Sequence, residues 1–120
     1  MYHVAVDDYV LDVLLPDLAG HDKSPAAFLV YIIIWTHLFR SGRRTVGLSL
    51  QALASQTGLS KSAVQSAVRR LQRRSLVRMT KRSPTAVPEY ELIRHWLKRR
   101  ASAISSARAA SVPRPSAARR

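Results

Sequence analysis

The sequence contains no cysteine, so it can form neither a disulfide framework nor a thiolate metal site. This fits a reducing compartment, and we expect a cytoplasmic protein. Acidic residues are also scarce: seven Asp and Glu stand against 20 Lys and Arg, giving a formal net charge of +13. Because such an imbalance destabilises a fold through self-repulsion, it indicates a partner that is anionic, such as nucleic acid, an anionic membrane surface or an acidic protein.

The sequence also lacks a hydrophobic run long enough to span a membrane. Its longest apolar stretch, residues 26–39, contains Thr36 and His37 and falls short of the roughly 20 residues that a span requires. The opening MYHVAVDDYV has no basic region ahead of an apolar stretch, so we expect no signal peptide. We therefore predict a buried core helix and no membrane partner.

Charge divides the 120 residues into regions. Residues 1–22 contain five Asp and no Lys or Arg, whereas the remainder holds all 20 basic residues. We interpret these Asp as helix caps and solvated charges; the alternative is that they meet the basic surface of this domain or of a second copy. The length allows one domain. We predict an acidic N-terminal segment with a short helix (1–23), a folded domain (24–97) and a basic Ala/Ser/Arg/Pro tail (98–120), disordered when free.

Start and stop signals predict two helices in the first third of the chain. Asp7 or Asp8 can cap a short helix with an apolar face, and Pro16 ends it. Ser24 is a good N-cap for a long helix that runs to about Arg40. Because this second helix is apolar on most sides, we expect it to be the central core element.

The segment QALASQTGLSKSAVQSAVRR predicts two short helices joined by a tight turn. Ser49 caps the first helix, 50–57, and Ser60 caps the second, 61–74. Gly58 tolerates a positive φ angle at the corner, and small apolar residues inside the bend let the helices approach closely. This is a helix-turn-helix arrangement.

Three β-prone stretches surround these helices, at residues 45–48, 76–80 and 90–93. The polar loop 81–88 contains two prolines and joins the last two stretches as a hairpin. The order of elements is that of a winged helix. We therefore predict a mainly α fold with a small β-hairpin, a winged helix-turn-helix, with residues 81–88 as the wing.

Residues 7 to 93 resemble the winged helix-turn-helix DNA-binding domains of bacteria. The motif LASQTGLSKSAVQSAVRRLQRRSLV is similar to those of MarR-like and GntR-like regulators and of replication-initiator N-terminal domains. The opening VDDYVLDVLLPDL favours the phage or plasmid replication type. In such domains the second helix of the motif lies in the DNA major groove.

The outward residues at the start of helix 61–74 are the predicted base readers, since Gln can pair with adenine and Arg or Lys with guanine. They are Ser60, Lys61, Ser62, Gln65, Ser66 and Arg69. A merely solvated helix face is the alternative, but the glycine corner, the hairpin and the net charge favour DNA.

Further basic and polar residues are predicted to contact the DNA backbone, either near the helices or at the wing. They are Arg43, Arg44, Arg73, Lys81, Arg82 and Ser83. Lys98, Arg99 and Arg100 of the tail would add electrostatic affinity. Cations at the end of helix 61–74 also suit the helix dipole, so Arg70, Arg73 and Arg74 are equally good candidates for stabilising that helix.

These features predict a sequence-specific protein for double-stranded DNA, nucleoid-associated, acting as a transcriptional regulator or as a replication or mobile-element accessory factor. The alternative is a winged-helix adaptor, a protein-binding subunit of a larger nucleoprotein complex. No catalytic constellation, phosphate-binding glycine loop or metal spacing of His is evident, so we expect no enzyme, cofactor or metal site. Because one reading helix covers few base pairs, the sequence is compatible with a homodimer, for which helix 8–15 is the candidate interface.

Overall fold

Residues 3–97 are described by the computed structural model of this chain. Three α-helices occupy the middle: α1 (Pro25–Ser41), α2 (Leu50–Thr57) and α3 (Lys61–Arg73). Three strands form one antiparallel sheet in the order β1–β3–β2: β1 (Val46–Gly47), β2 (Val77–Thr80) and β3 (Glu89–Leu92). Two π-helical segments, Val10–Leu14 and Pro16–His21, precede them. The predicted tail, with Lys98, Arg99 and Arg100, lies outside the described residues.

Helix α1 is the central core element, as its sequence predicts. The hydroxyl of Ser24 accepts a hydrogen bond from the backbone N–H of Ala27, and Gly42 ends the helix at φ 69°. Such a left-handed residue is a common helix end because glycine has no Cβ to clash. The side chains that α1 buries completely include Val30, Tyr31 and Ile34.

The N-terminal helical segment differs from the prediction. Pro16 does not end it, since helical turns continue to His21. The backbone N–H of Asp22 donates to the carbonyl of Asp17 at 2.8 Å, a bond to the residue five positions back, as in the wide turns of a π-helix. Pro16 lies in the first turn of the second segment, where its missing N–H leaves no bond unmade.

The predicted capping of this segment by Asp7 or Asp8 was wrong. Tyr9 stands at the cap position, and no side chain makes a capping hydrogen bond there. The carboxylate of Asp7 instead accepts hydrogen bonds from Arg94 and Trp96, near the end of the described chain. A charged donor and an indole N–H have replaced the backbone N–H groups that a cap would have satisfied.

Helices α2 and α3 form the predicted helix-turn-helix. The hydroxyl of Ser49 accepts from Ala52 N at 3.0 Å, and that of Ser60 accepts from Ala63 N at 3.1 Å. Gly58 takes the corner between them at φ 80°. The side chains that α2 and α3 bury are Leu53, Val64, Ala67, Val68 and Leu71.

The sheet completes a winged helix-turn-helix, which confirms the predicted fold. Tyr90 at the centre of β3 pairs with Val46 of β1 on one side and with Met79 of β2 on the other. The hairpin between β2 and β3 is residues 81–88, the wing. Within residues 3–97, no helix combines the length and the apolar character needed to cross a bilayer.

Candidate nucleic-acid interface

Helix α3 has one buried apolar face and one exposed polar face. All six predicted base readers lie on the exposed face: Ser60, Lys61, Ser62, Gln65, Ser66 and Arg69. The two faces are distinct because the apolar side chains of α3 recur at three- and four-residue spacing from Val64 to Leu71. The structure therefore brings the predicted readers together on one surface.

Four of these readers already have local partners. Ser60 satisfies an N–H of the first turn as the N-cap, and its hydroxyl lies 3.3 Å from that of Ser62. Arg69 donates to the hydroxyl of Ser66 at 3.4 Å. This exposed contact places the guanidinium of Arg69 beside Ser66 on the same side of α3.

A groove of about 490 Å³ separates this face of α3 from the wing. Lys61, Gln65 and Arg69 line its α3 side, and Lys81 lines its wing side. Its remaining lining includes the apolar side chains Val68, Met79, Pro84 and Val87, together with the buried Tyr90. The groove therefore combines apolar side chains with the cationic and amide side chains of Lys61, Gln65, Arg69 and Lys81.

The wing is held in shape by its own contacts. Lys81 Nζ donates to the carbonyl of Pro84 at 3.1 Å, and the hydroxyls of Ser83 and Thr85 lie 3.5 Å apart. Arg82 is exposed and makes no ion pair within residues 3–97. Of the two wing cations, Arg82 is therefore the freer to reach a phosphate.

Cations at the end of α3 are engaged by the acidic N-terminal segment. Arg74 contacts Asp17 and lies 3.4 Å from Asp22, and Arg70 Nη1 lies 3.6 Å from Asp22 Oδ2. The carboxylate of Asp22 is only 7% exposed. Burial pushes its pKa up, but the hydrogen bond with His21 and the charges of Arg74 and Arg70 outweigh burial, and the pKa lies below its ordinary value.

This network separates three neighbouring arginines into two kinds. Arg70 and Arg74 are half-buried and hold α3 against the N-terminal segment. Arg73 is exposed and forms no ion pair with the other described residues, so it is available to a ligand. Charge in the sequence alone could not distinguish them, because the deciding partners lie about fifty residues away.

Arg43 and Arg44 lie at a second groove, of about 530 Å³, which shares no lining residue with the groove beside α3. Arg44 donates to Glu91, which also accepts from Arg78 at 2.9 Å. Burial raises the pKa of Glu91, but the hydrogen bonds from Arg78 and Arg44 lower it by more than burial raises it. The pKa of Glu91 therefore lies below its ordinary value. That Arg43 and Arg44 contact the DNA backbone stays a prediction.

Asp7 is a structural residue that the sequence analysis missed. Its Oδ2 accepts from Arg94 Nε at 3.1 Å, from Arg94 Nη2 at 2.6 Å and from Trp96 Nε1 at 2.8 Å. The guanidinium of Arg94 also lies 4.9 Å from the centroid of Trp35. No local pattern signals this cluster, because its members are joined only by the fold.

Asp17, His21 and Asp22 place potential metal ligands within 4.8 Å of one another. Both carboxylates are already paired with Arg70 or Arg74, as described above. Two arginines beside such a cluster oppose the binding of a cation. We therefore regard it as an ion-pair network.

Comparison with known families bears directly on these elements. Residues 21–77, just under half of the chain, match the family described as "Helix-turn-helix domain". The matched segment contains α1, α2 and α3, and hence the exposed face of α3. The structure agrees with this similarity, since α2 and α3 within the matched segment form a helix-turn-helix. The wing and most of the acidic N-terminal segment lie outside the match.

Other comparisons add little to the helix-turn-helix assignment. A MarR family transcriptional regulator from Silicibacter pomeroyi DSS superposes with a TM-score of 0.43 and 18% sequence identity, covering 90% of this chain and 71% of that one. A likeness this loose bears on neither function nor assembly. Curated protein sequences gave no significant match.

Proposed function

We propose that this protein binds double-stranded DNA in a sequence-dependent manner, with α3 in the major groove. The observation that carries the proposal is the exposed polar and cationic face of α3, from which Lys61, Gln65 and Arg69 line the groove beside the wing. A helix presented in this way fits the major groove, which is wide enough to admit one α-helix.

Gln65 and Arg69 are the proposed base readers of greatest effect. Both are exposed, and they lie four residues apart on the same side of α3. Gln can bond bidentately to adenine and Arg to guanine, with each good pair worth about 1–3 kcal/mol of discrimination.

Lys61, Ser60 and Ser62 lie at the start of α3, where free backbone N–H groups and the helix dipole favour an anion. We propose that they position the helix on a phosphate and reach neighbouring base edges. Arg73, Lys81, Arg82 and Ser83 are proposed backbone contacts. Lys98, Arg99 and Arg100 would add affinity without reading sequence.

A regulator of transcription is the proposed biological role, with a replication or mobile-element factor as the second possibility within the same activity. Both roles require sequence-dependent binding of double-stranded DNA, and selection of bound duplexes from a random pool tests that binding. We expect one enriched motif, and two enriched half-sites about one helical turn apart if the protein binds as a dimer. Weak, salt-dependent binding with no enriched motif would contradict sequence reading and favour the adaptor role instead.

A further inference from the structure

Two of the five Asp residues near the N-terminus are not used by the folded domain. Asp7, Asp17 and Asp22 are each paired with arginine, as described above. Asp8 and Asp12 are exposed, and within residues 3–97 neither forms an ion pair. In a chain with such an excess of basic residues, these two carboxylates are available to pair with a cation outside residues 3–97.

Asp8 and Asp12 share a surface with two exposed leucines. Asp8 and Asp12 are four residues apart in this helical segment, as are Leu11 and Leu15, and all four side chains are exposed; we name them the N-terminal outer face. Leu11 is 48% exposed and Leu15 is 38% exposed. The opposite side of the segment buries Val10, Leu14 and Leu18. Apolar patches flanked by carboxylates suit Lys and Arg, whose stems cover apolar surface while their heads stay charged.

The last described residues of the chain pack against the neighbours of Asp8. The ring of Trp96 stacks on that of Tyr9, with 4.5 Å between centroids, and Tyr9 is the neighbour of Asp8. Trp96 Nε1 also donates to Asp7 at 2.8 Å. Because each residue can extend about 3.3–3.6 Å, Lys98, Arg99 and Arg100 start within reach of Asp8 and Asp12.

The segment that begins at this point has the complementary charge. Residues 98–120 contain seven Lys and Arg and no Asp or Glu. Their three consecutive cations come first, at 98–100, directly after Leu97, the last described residue. Position and charge therefore both favour this segment as the occupant of the face.

We infer that residues 98–120 dock on the N-terminal outer face of the same chain through Lys98, Arg99 and Arg100. Their charged heads pair with Asp8 and Asp12, and their stems cover Leu11 and Leu15. DNA phosphates compete for the same cations. On the basis of the proposed DNA binding, the face retains the tail in the free protein and a duplex displaces it.

Paramagnetic labelling tests the docking without DNA. The chain has no cysteine, so Ser105→Cys in the full-length protein accepts a single spin label. We expect broadening of the Leu11 and Leu15 methyl signals that exceeds that of Leu29, an exposed leucine of α1. In the Asp8→Asn/Asp12→Asn variant, or at high salt, this excess should fall to the level that tethering alone produces. Broadening that is unchanged in the variant would overturn the inference.

Mixed samples identify the occupant. When spin-labelled chains that are invisible to NMR are mixed with isotope-labelled chains lacking the label, docking within one chain should leave Leu11 and Leu15 sharp. Broadening in that mixture would show that the tail of a second copy occupies the face, which contradicts docking in the same chain.

DNA titration tests the competition separately. Asp8→Asn/Asp12→Asn should tighten duplex binding by about two- to fivefold, the scale of two surface ion pairs. The same change should have less effect when Lys98, Arg99 and Arg100 are replaced by Gln. Equal effects in both backgrounds would show that the carboxylates act on DNA directly and would overturn the competition. Absence of duplex binding would contradict the proposed function but leave the methyl result standing.

Discussion

Asp22 Oδ1 accepts a hydrogen bond from Arg74 Nη1 at 3.4 Å, across 52 positions of the chain. This contact joins the segment that precedes α1 to the residue that ends α3. Arg70 adds a second cation to the same carboxylate. The N-terminal segment therefore helps to hold α3 in its position in the fold, although it contributes no residue to the exposed face of α3.

Asp22→Asn should lower the free energy of unfolding at neutral pH by about 1–3 kcal/mol, because Arg70 loses its charged acceptor and Arg74 keeps only Asp17. Urea denaturation measures the change. Asp12→Asn is the matched control, and its exposed position should keep its effect within about 0.5 kcal/mol. Equal losses in the two variants would show that the ion pairs contribute nothing specific.

The contribution of Asp22 should depend on pH. Its folded-state pKa lies below the ordinary value of 3.8, so its stabilisation is fully present above that value and is lost as pH falls through the lower folded-state pKa. Wild type and Asp22→Asn should therefore differ most near neutral pH and converge in acid. Unfolding midpoints measured across this range check the convergence, and a gap that stays constant would contradict it.

Gly58→Ala should destabilise the protein by about 1–2 kcal/mol, since φ 80° at the corner is a left-handed conformation that a Cβ disfavours. The added methyl group meets no atom within 4 Å, so the cost is one of backbone conformation alone. Gly20→Ala is the control: it also meets no atom, and its φ angle is not positive. That change in a helical segment should stabilise by about 0.4–1 kcal/mol. Thermal unfolding of both variants distinguishes the two effects.

Gln65→Ala and Arg69→Ala should each weaken binding to the selected duplex by about 1–3 kcal/mol and relax the preference at one position. Arg43→Ala removes a cation from the other groove, so it should leave the preference intact. Competition binding with single-base variants of the duplex measures both quantities. If Arg43→Ala alters the preference and the α3 variants do not, the reading face has been assigned wrongly.

Arg82→Ala should reduce the slope of log affinity against log salt by about 0.9, the value for one phosphate contact. Binding should weaken evenly across duplex sequences, because a phosphate carries no base identity. The free energy of unfolding should not change, since Arg82 is exposed and forms no ion pair with the described residues. A changed base preference would instead place the wing in contact with base edges.

Local signals in the sequence were sufficient to predict α1, α2, α3 and the hairpin. Ser24, Ser49, Ser60 and Gly58 each act on backbone groups within four residues, so their effect can be read directly from the sequence. The exposed face of α3 follows from the same helical periodicity. The position of this face beside the wing follows from the order of the elements.

Long-range pairing could not be predicted from those signals. Arg70, Arg73 and Arg74 are equivalent as sequence, and only the packing of the N-terminal segment assigns the first and last of them to Asp22. Pro16 looked like a helix end because it cannot donate a backbone bond. It proved to begin a second helical segment, a position where no bond is required of it.

The hydrogen bonds of Asp7 with Arg94 and Trp96 couple the local unfolding of the two ends of residues 3–97. End segments of most domains fray independently and exchange their amide hydrogens early. Here the N-terminal stretch cannot lift away without also freeing the residues after β3. Their amides should exchange at matched rates, as one cooperative unit, and Asp7→Ala should separate those rates.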